Sequence, residues 1–287
     1  MKEIRLELRP EGLREVLQEA PEPLSSHGVY LVARTWQGDK VLDLDGHFQR
    51  LEDSARALGH DLHVPREQIR SILANHLPGR YQESRESRKA GDIRFRVAAM
   101  LEDPPWYGIH LEEARPVPPE ILREGARCRI QRGAARNQPE VKAVSWIHRR
   151  QAFCAGGAEQ GGYEYLLTDD QGRILEGATS NVYAVMDGVL RTAGEGVLQG
   201  IARKIVLRTA RDLLPLELSP VKENDLPRVR ELFISSATRG VVPVSRIDDH
   251  LLGPPGEITR EISSRYNRWL ADHLEPLVLP GSRTDSG

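Results

Sequence analysis

Lys142 stands in Glu140-Val141-Lys142-Ala143-Val144-Ser145-Trp146, where a loop gives way to an apolar helix start. Burial disfavours an ammonium, so a lysine in such surroundings could act as an amine nucleophile toward an aldehyde. An isolated lysine more commonly keeps its head in water while its stem packs, and Lys142 by itself does not decide between the two. Three further segments carry groups that could act with it. Glu176, in Leu175-Glu176-Gly177-Ala178-Thr179-Ser180-Asn181, puts a carboxylate at a strand end before a small polar turn; its plain reading is a solvated edge charge. Leu198-Gln199-Gly200-Ile201-Ala202-Arg203 starts a helix at a glycine. There the unpaired N–H groups attract anions and the missing side chain permits close approach. Ser235-Ser236-Ala237-Thr238-Arg239-Gly240 is a hydroxyl-rich turn suited to phosphate or carboxylate, and equally usual as a plain loop.

These groups need elements to hold them. Gly28–Trp36 is rich in β-branched and aromatic residues and, with a turn at Gln37-Gly38-Asp39, predicts a hairpin into Lys40-Val41-Leu42. Apolar Phe48, Leu51, Ala55 and Leu58 recur at helical spacing before Gly59, and a second helix is expected over Arg66–Leu77. Asp92–Ala98 alternates as a strand, with Arg94 and Arg96 on one face. Leu13–Ala20 reads as a helix. Pro116, Pro118 and Pro119 resist regular structure and mark the expected domain junction, giving a small α/β domain over 1–117 and a larger, β-rich α/β domain over 118–287. The second half predicts a strand near Arg127–Gln131 and a helix from about Ala143 to Gln160. Strands follow at Glu164–Thr168, Arg173–Glu176, Asn181–Met186 and Val189–Thr192, then a helix over Ile201–Leu214. Strands at Glu231–Ser236 and Val241–Ile247 precede a last helix over Glu257–Leu274, and residues 280–287 read as a mobile tail.

Composition narrows the class. The chain has 287 residues, 39% hydrophobic content and a net charge of −2, with no apolar run long enough to suggest a membrane span. Nucleic acid is not an expected partner, because the arginines are scattered among acids. The two cysteines, Cys128 and Cys154, suit a reducing compartment, and Met1–Leu6 alternates like a strand rather than forming a secretory apolar stretch. A cytoplasmic location is therefore expected. The nine histidines show no metal-ligand spacing. Only six of the 40 basic residues are lysines, leaving 34 arginines, so a lysine in an apolar setting stands out.

Taken in order, His47-Phe48-Gln49-Arg50-Leu51, Lys142, Glu176-Gly177 with Ser180-Asn181-Val182-Tyr183, Asp187-Gly188-Val189-Leu190-Arg191-Thr192, Leu198-Gln199-Gly200-Ile201-Ala202-Arg203, and Pro243-Val244 with Ile247-Asp248 form one pattern. From about Gly28 to Asp248 the chain resembles the class IV aminotransferases. These are fold-type IV pyridoxal-phosphate enzymes that include branched-chain and D-amino-acid aminotransferases, aminodeoxychorismate lyase and (R)-selective amine transaminases. The resemblance implies a two-domain α/β (α+β) fold, pyridoxal 5′-phosphate as cofactor, and a homodimer. It implies that Lys142 holds the cofactor as a Schiff base and shuttles the proton, and that Glu176 faces the pyridine nitrogen. Arg50 and the Ile201 and Ala202 N–H groups would bind phosphate, with Ser236 and Thr238 contributing to phosphate or substrate binding. Tyr30, Arg96 and Ala237 are the implied substrate-facing positions.

Two departures stand out, the first bearing on the substrate and the second on support of the cofactor hydroxyl. Leu31 follows Tyr30 where the family usually carries a glutamate, and Ile147, beside Trp146, occupies the place of a tyrosine five positions after the lysine. The expected reaction is amino transfer between an amino acid or amine and a 2-oxo acid. The alternatives are pyruvate elimination by an aminodeoxychorismate lyase and a catalytically silent binding protein of the same fold.

Overall fold

A computed structural model describes residues 4–16, 26–86, 92–155 and 162–277. The chain forms two compact units, one of residues 1–116, 141–148 and 272–287 and one of residues 117–140 and 149–271. The segment bearing Lys142 thus belongs with the first unit, as does the C-terminal segment, and the division is not a single cut at the proline run.

The first unit contains β1 (Ile4–Arg9), β2 (Gly12–Val16), β3 (Gly28–Arg34), β4 (Lys40–Leu42), α1 (Leu44–Ala57), α2 (Arg66–Glu86), β5 (Ile93–Met100) and β6 (Trp106–Glu113). Five strands make an antiparallel sheet in the order β2-β1-β6-β5-β3, while Leu274–Pro276 pairs with β4. Alternation along β5 explains its two faces. Ile93, Phe95, Val97 and Ala99 join a core with Phe48 and Leu51 of α1 and Ile69 and Leu73 of α2. The residues between them point the other way, where Ala98 and Met100 cluster with Tyr30, Trp106, Val144 and Ile147. Helix α1 begins at Asp43, whose carboxylate accepts the Gly46 N–H at 3.1 Å, an N-cap that offsets one unpaired donor.

The expected helix over Leu13–Ala20 is corrected. Gly12–Val16 is a strand whose partners on β1 run from Val16 opposite Arg5 to Gly12 opposite Arg9, and residues 17–20 lie outside those described. Ladder bonds to β1 outweigh the local helical spacing of Leu13 and Val16, a case of tertiary pairing overriding propensity.

The second unit begins with α3 (Pro119–Glu124), for which Pro118 is the N-cap. A proline in the first turn loses no helical hydrogen bond, so the proline run starts a helix rather than forbidding one. There follow β7 (Ala126–Gln131), α4 (Val144–Ala155, its first turn in the other unit), β8 (Glu164–Thr168), β9 (Ile174–Gly177), β10 (Asn181–Met186), β11 (Val189–Arg191), α5 (Ile201–Thr209), β12 (Leu216–Glu217), a 3-10 turn at Glu223–Arg228, β13 (Val229–Ser236), β14 (Gly240–Ile247), β15 (His250–Leu251) and α6 (Glu257–Asp272). The sheet runs β12-β11-β10-β13-β14-β7-β8-β9. Because β9 also pairs with β10, through Glu176 and Asn181, the path closes on itself. Its core gathers Leu166, Val182, Ile234, Val242 and Val244. The expected helical residues 156–160 and the tail 280–287 fall outside the described residues. No helix among the described residues is long and apolar enough to cross a membrane.

Cys128 lies in this second core, 2% exposed and free. Burial, and next the charge of Glu164, push its thiol well above the usual cysteine range, with Arg239 pulling the other way. It is therefore expected to resist maleimide in the native protein and to react only on unfolding, as peptide mass mapping of alkylated samples will show. Native alkylation of Cys128 at the rate of a free thiol would contradict its placement.

Candidate active site

Lys142 is fixed through its backbone on two sides. Its carbonyl accepts the Tyr30 N–H of β3 at 2.9 Å, its own N–H donates to Ser54 Oγ of α1 at 3.2 Å, and Ala143 bridges Val29. Val141 and Val144 on either side are fully buried, which anchors the segment in the first unit. The half-buried side chain carries Nζ over the Tyr30 ring, 5.1 Å from its centroid, a cation–π distance.

Tyr30 shares this sheet face with Arg96, since Tyr30 pairs with Ala98 and Val32 with Arg96 across β3 and β5. Arg96 in turn stands opposite His110 of β6, with Nη2 3.4 Å from Nδ1, and His110 stands opposite Arg5 of β1. Arg5 ion-pairs with Glu7 at 3.0 Å. The face beside Lys142 thus carries cationic donors, Arg96 and Arg5, next to its apolar cluster, a setting that can orient a carboxylate. Arg50, half-buried on α1, has Nη2 3.1 Å from His47 Nδ1, and His47 is 1% exposed. The sequence offers His47 only as a flanking residue; its burial against Arg50 assigns it the part of steadying that guanidinium.

In the second unit Glu176 is only 3% exposed, so it is not the solvated edge charge that its plain reading implied. Its Oε1 lies 3.4 Å from Arg136 Nη1, and its Oε2 accepts the Leu198 N–H at 3.0 Å. Asn181, paired with Glu176 in register, donates from Nδ2 to the Leu198 carbonyl at 2.9 Å. Together they clamp the residues that lead into α5. Gly200 is the N-cap of α5 and offers no side-chain acceptor, so the first-turn N–H groups, including those of Ile201 and Ala202, remain for another acceptor. A Cβ on Gly200 would stand 2.8 Å from Asn181 Oδ1 and one on Gly177 2.2 Å from Ser180 Oγ, so a side chain at either position would have to displace that amide or hydroxyl.

Ser236, Ala237 and Thr238 lie in the turn between β13 and β14, closed at Gly240 with φ +67°. Arg239 braces that turn: its Nε donates to Ser236 Oγ at 3.1 Å and its Nη2 to Glu164 at 2.8 Å and to Thr179 Oγ1 at 2.6 Å. Thr179 and Ser180 also donate to Glu164, which ties the 177–181 and 236–239 turns to one buried carboxylate. Arg136, His110, Glu164 and Arg239 are not singled out by the sequence. Nothing in their local spacing separates them from the other arginines and acids; only the strand pairing brings them inward.

The sequence model of amino-transferase class IV matches residues 28–247. The chain belongs to the class IV aminotransferases. Relatives of this class IV aminotransferase include a Methanocaldococcus jannaschii protein named as a putative branched-chain-amino-acid aminotransferase, 28% identical over 262 residues that cover 85% of this chain and 87% of that one. A D-alanine aminotransferase of Bacillus licheniformis is 27% identical over 265 residues, 83% and 85% of the two chains. The branched-chain aminotransferase of the thermophilic archaeon Thermoproteus uzoniensis, solved with norvaline, shares the fold with a TM-score of 0.74 at 21% identity over 96% of this chain and 99% of that one. The fold is thus that of fold-type IV transaminases, and the aminotransferase names of the relatives favour amino transfer over the lyase alternative.

Class IV aminotransferases are pyridoxal-phosphate enzymes, and the donor set of this class IV aminotransferase suits that cofactor. A buried carboxylate for a protonated ring nitrogen, an uncapped helix N-terminus cleared by a glycine for a phosphate, and one lysine on an ordered, half-buried segment are all present.

Proposed function

We propose that this chain exchanges an amino group between an amino acid or amine and a 2-oxo acid by ping-pong transfer, with Lys142 carrying pyridoxal 5′-phosphate. When bound, the cofactor supplies an electron sink for the electron pair left as the substrate α-proton departs. Lys142 would hold the cofactor through Nζ and, with its amine free once substrate is bound, would serve as the base that takes the substrate α-proton. Glu176 would face the ring nitrogen and favour its protonated form. Arg50 and the Ile201 and Ala202 N–H groups would bind the phosphate, and the Ser236 and Thr238 hydroxyls would bind the phosphate or the substrate carboxylate. Tyr30, Arg96 and Ala237 face the substrate, and Arg96, with His110 beside it, takes a carboxylate. A homodimer and a cytoplasmic location belong to the same reading, the former checked by sedimentation.

The observation that carries this reading is the setting of Lys142: a lysine whose backbone is bonded to both β3 and α1, with Nζ over Tyr30 on the sheet face that bears Arg96. Single-turnover spectra with L-branched-chain amino acids, D-alanine and (R)-amines, with pyruvate release from aminodeoxychorismate followed in parallel, test it. Conversion to the pyridoxamine form by at least one donor, without pyruvate release from aminodeoxychorismate, is expected. Pyruvate release with regeneration of the starting spectrum would establish the lyase instead.

A further inference from the structure

Arg203 is 2% exposed and the bulkiest of the fully buried side chains among the described residues. A guanidinium this deep is ordinarily matched by a carboxylate. Arg203 donates instead to neutral acceptors: Nη1 to Thr192 Oγ1 at 3.2 Å, Nη2 to the Ala193 carbonyl at 2.8 Å, and Nε to Gln199 Oε1 at 3.1 Å. Thr192 Oγ1 donates to the Val182 carbonyl at 2.7 Å, which leaves its oxygen lone pairs to accept from Arg203. Tyr183, whose hydroxyl burial pushes up to about 12 against the pull of Ser235 and of the Arg203 charge, lies 3.1 Å from Ser235 Oγ at the start of the 236–238 turn. One buried cation therefore bonds the first turn of α5 to the end of β11 and, through Thr192, to β10. From the other end, Glu176 and Asn181 hold Leu198.

We propose that Arg203 is a positioning residue for the cofactor phosphate. It locks the first turn of α5 against β10 and β11, and its charge, which among the described residues faces neutral acceptors, is balanced when a phosphate occupies that turn. Glu176 and Arg203 then set, from opposite ends of residues 198–203, the spacing between the ring-nitrogen and phosphate positions. The inference rests on the cofactor roles proposed above for Glu176 and α5.

The full-length apoprotein of wild type, Arg203→Met, Arg203→Lys and Thr192→Val is titrated with pyridoxal 5′-phosphate and with pyridoxal, and the bound phosphate is followed by ³¹P NMR. Arg203→Met is expected to weaken pyridoxal-phosphate binding by about 10- to 100-fold, the range for a lost charged hydrogen-bonding group, and to shift the ³¹P resonance. Pyridoxal binding should change by less than about threefold. Thr192→Val should lower the same affinity ratio by a smaller factor, and Arg203→Lys should recover part of it. A ratio and a ³¹P shift unchanged in the folded variants would overturn the proposal. Should Arg203→Met fail to fold, Arg203→Lys and Thr192→Val decide by the same ratio. A wild type that binds pyridoxal as tightly as its phosphate, or that fails to carry the cofactor on Lys142, would refute the underlying cofactor reading, and the inference with it.

Discussion

Replacing Lys142 by alanine is expected to lower amino transfer by at least about a thousandfold, because one side chain supplies both the cofactor attachment and the proton transfer. The loss should appear in kcat, with substrate binding weakened far less, and exogenous small amines should restore a fraction of the proton-transfer rate. The fold should survive. The bonds that order this segment, from Tyr30 N–H to the Lys142 carbonyl and from the Lys142 N–H to Ser54, belong to the backbone and persist in Lys142→Ala. Unfolding titrations should therefore place the variant within about 1 kcal/mol of wild type. Retention of full transfer activity in Lys142→Ala would remove the role assigned to Lys142, on which the amino-transfer and lyase readings both rest.

The second large effect belongs to Glu176. Glu176→Gln preserves an acceptor for the Leu198 N–H but leaves the Arg136 guanidinium, whose side chain is 8% exposed, facing a neutral amide. Removing one partner of a buried pair costs about 3–5 kcal/mol when no acceptor remains. With the amide oxygen retained, and at a separation of 3.4 Å, about 2 kcal/mol is the expected loss, measured by chemical denaturation. Activity should fall about 100-fold or more, since a neutral amide no longer favours a protonated ring nitrogen. Adding Arg136→Met to Glu176→Gln separates the two effects: it should restore stability while leaving the rate low. Recovery of both together would mean that Glu176 serves only to hold Arg136.

The sequence is most legible where chemistry and local pattern coincide. Alternating apolar residues in β5 and helical spacing through Phe48, Leu51 and Ala55 correctly announce a sheet with helices packed on it. The junction of loop and helix at Lys142 is also where the sequence puts it, since α4 starts at Val144. The failures are long-range. Gly12–Val16 carries a helical spacing but pairs with β1, and β6, with Trp106 and His110, is not expected at all, because its role is set by partners on both flanks. Burial of Glu176 is equally invisible locally: the closure of β9 onto β10 and the approach of Arg136 across 40 positions turn an edge-strand acid into an enclosed one. Among 34 arginines, Arg136, Arg203 and Arg239 differ from surface neighbours only through such closure.

The central claim, that Lys142 carries the cofactor, is tested most directly by borohydride reduction of the protein incubated with pyridoxal 5′-phosphate, followed by peptide mass mapping. The account predicts one reduced cofactor per chain, on the peptide containing Lys142, with loss of the associated visible absorbance when an amino donor is added before reduction. Cofactor attached instead at any of the other five lysines, or no attachment in a folded protein, would contradict it.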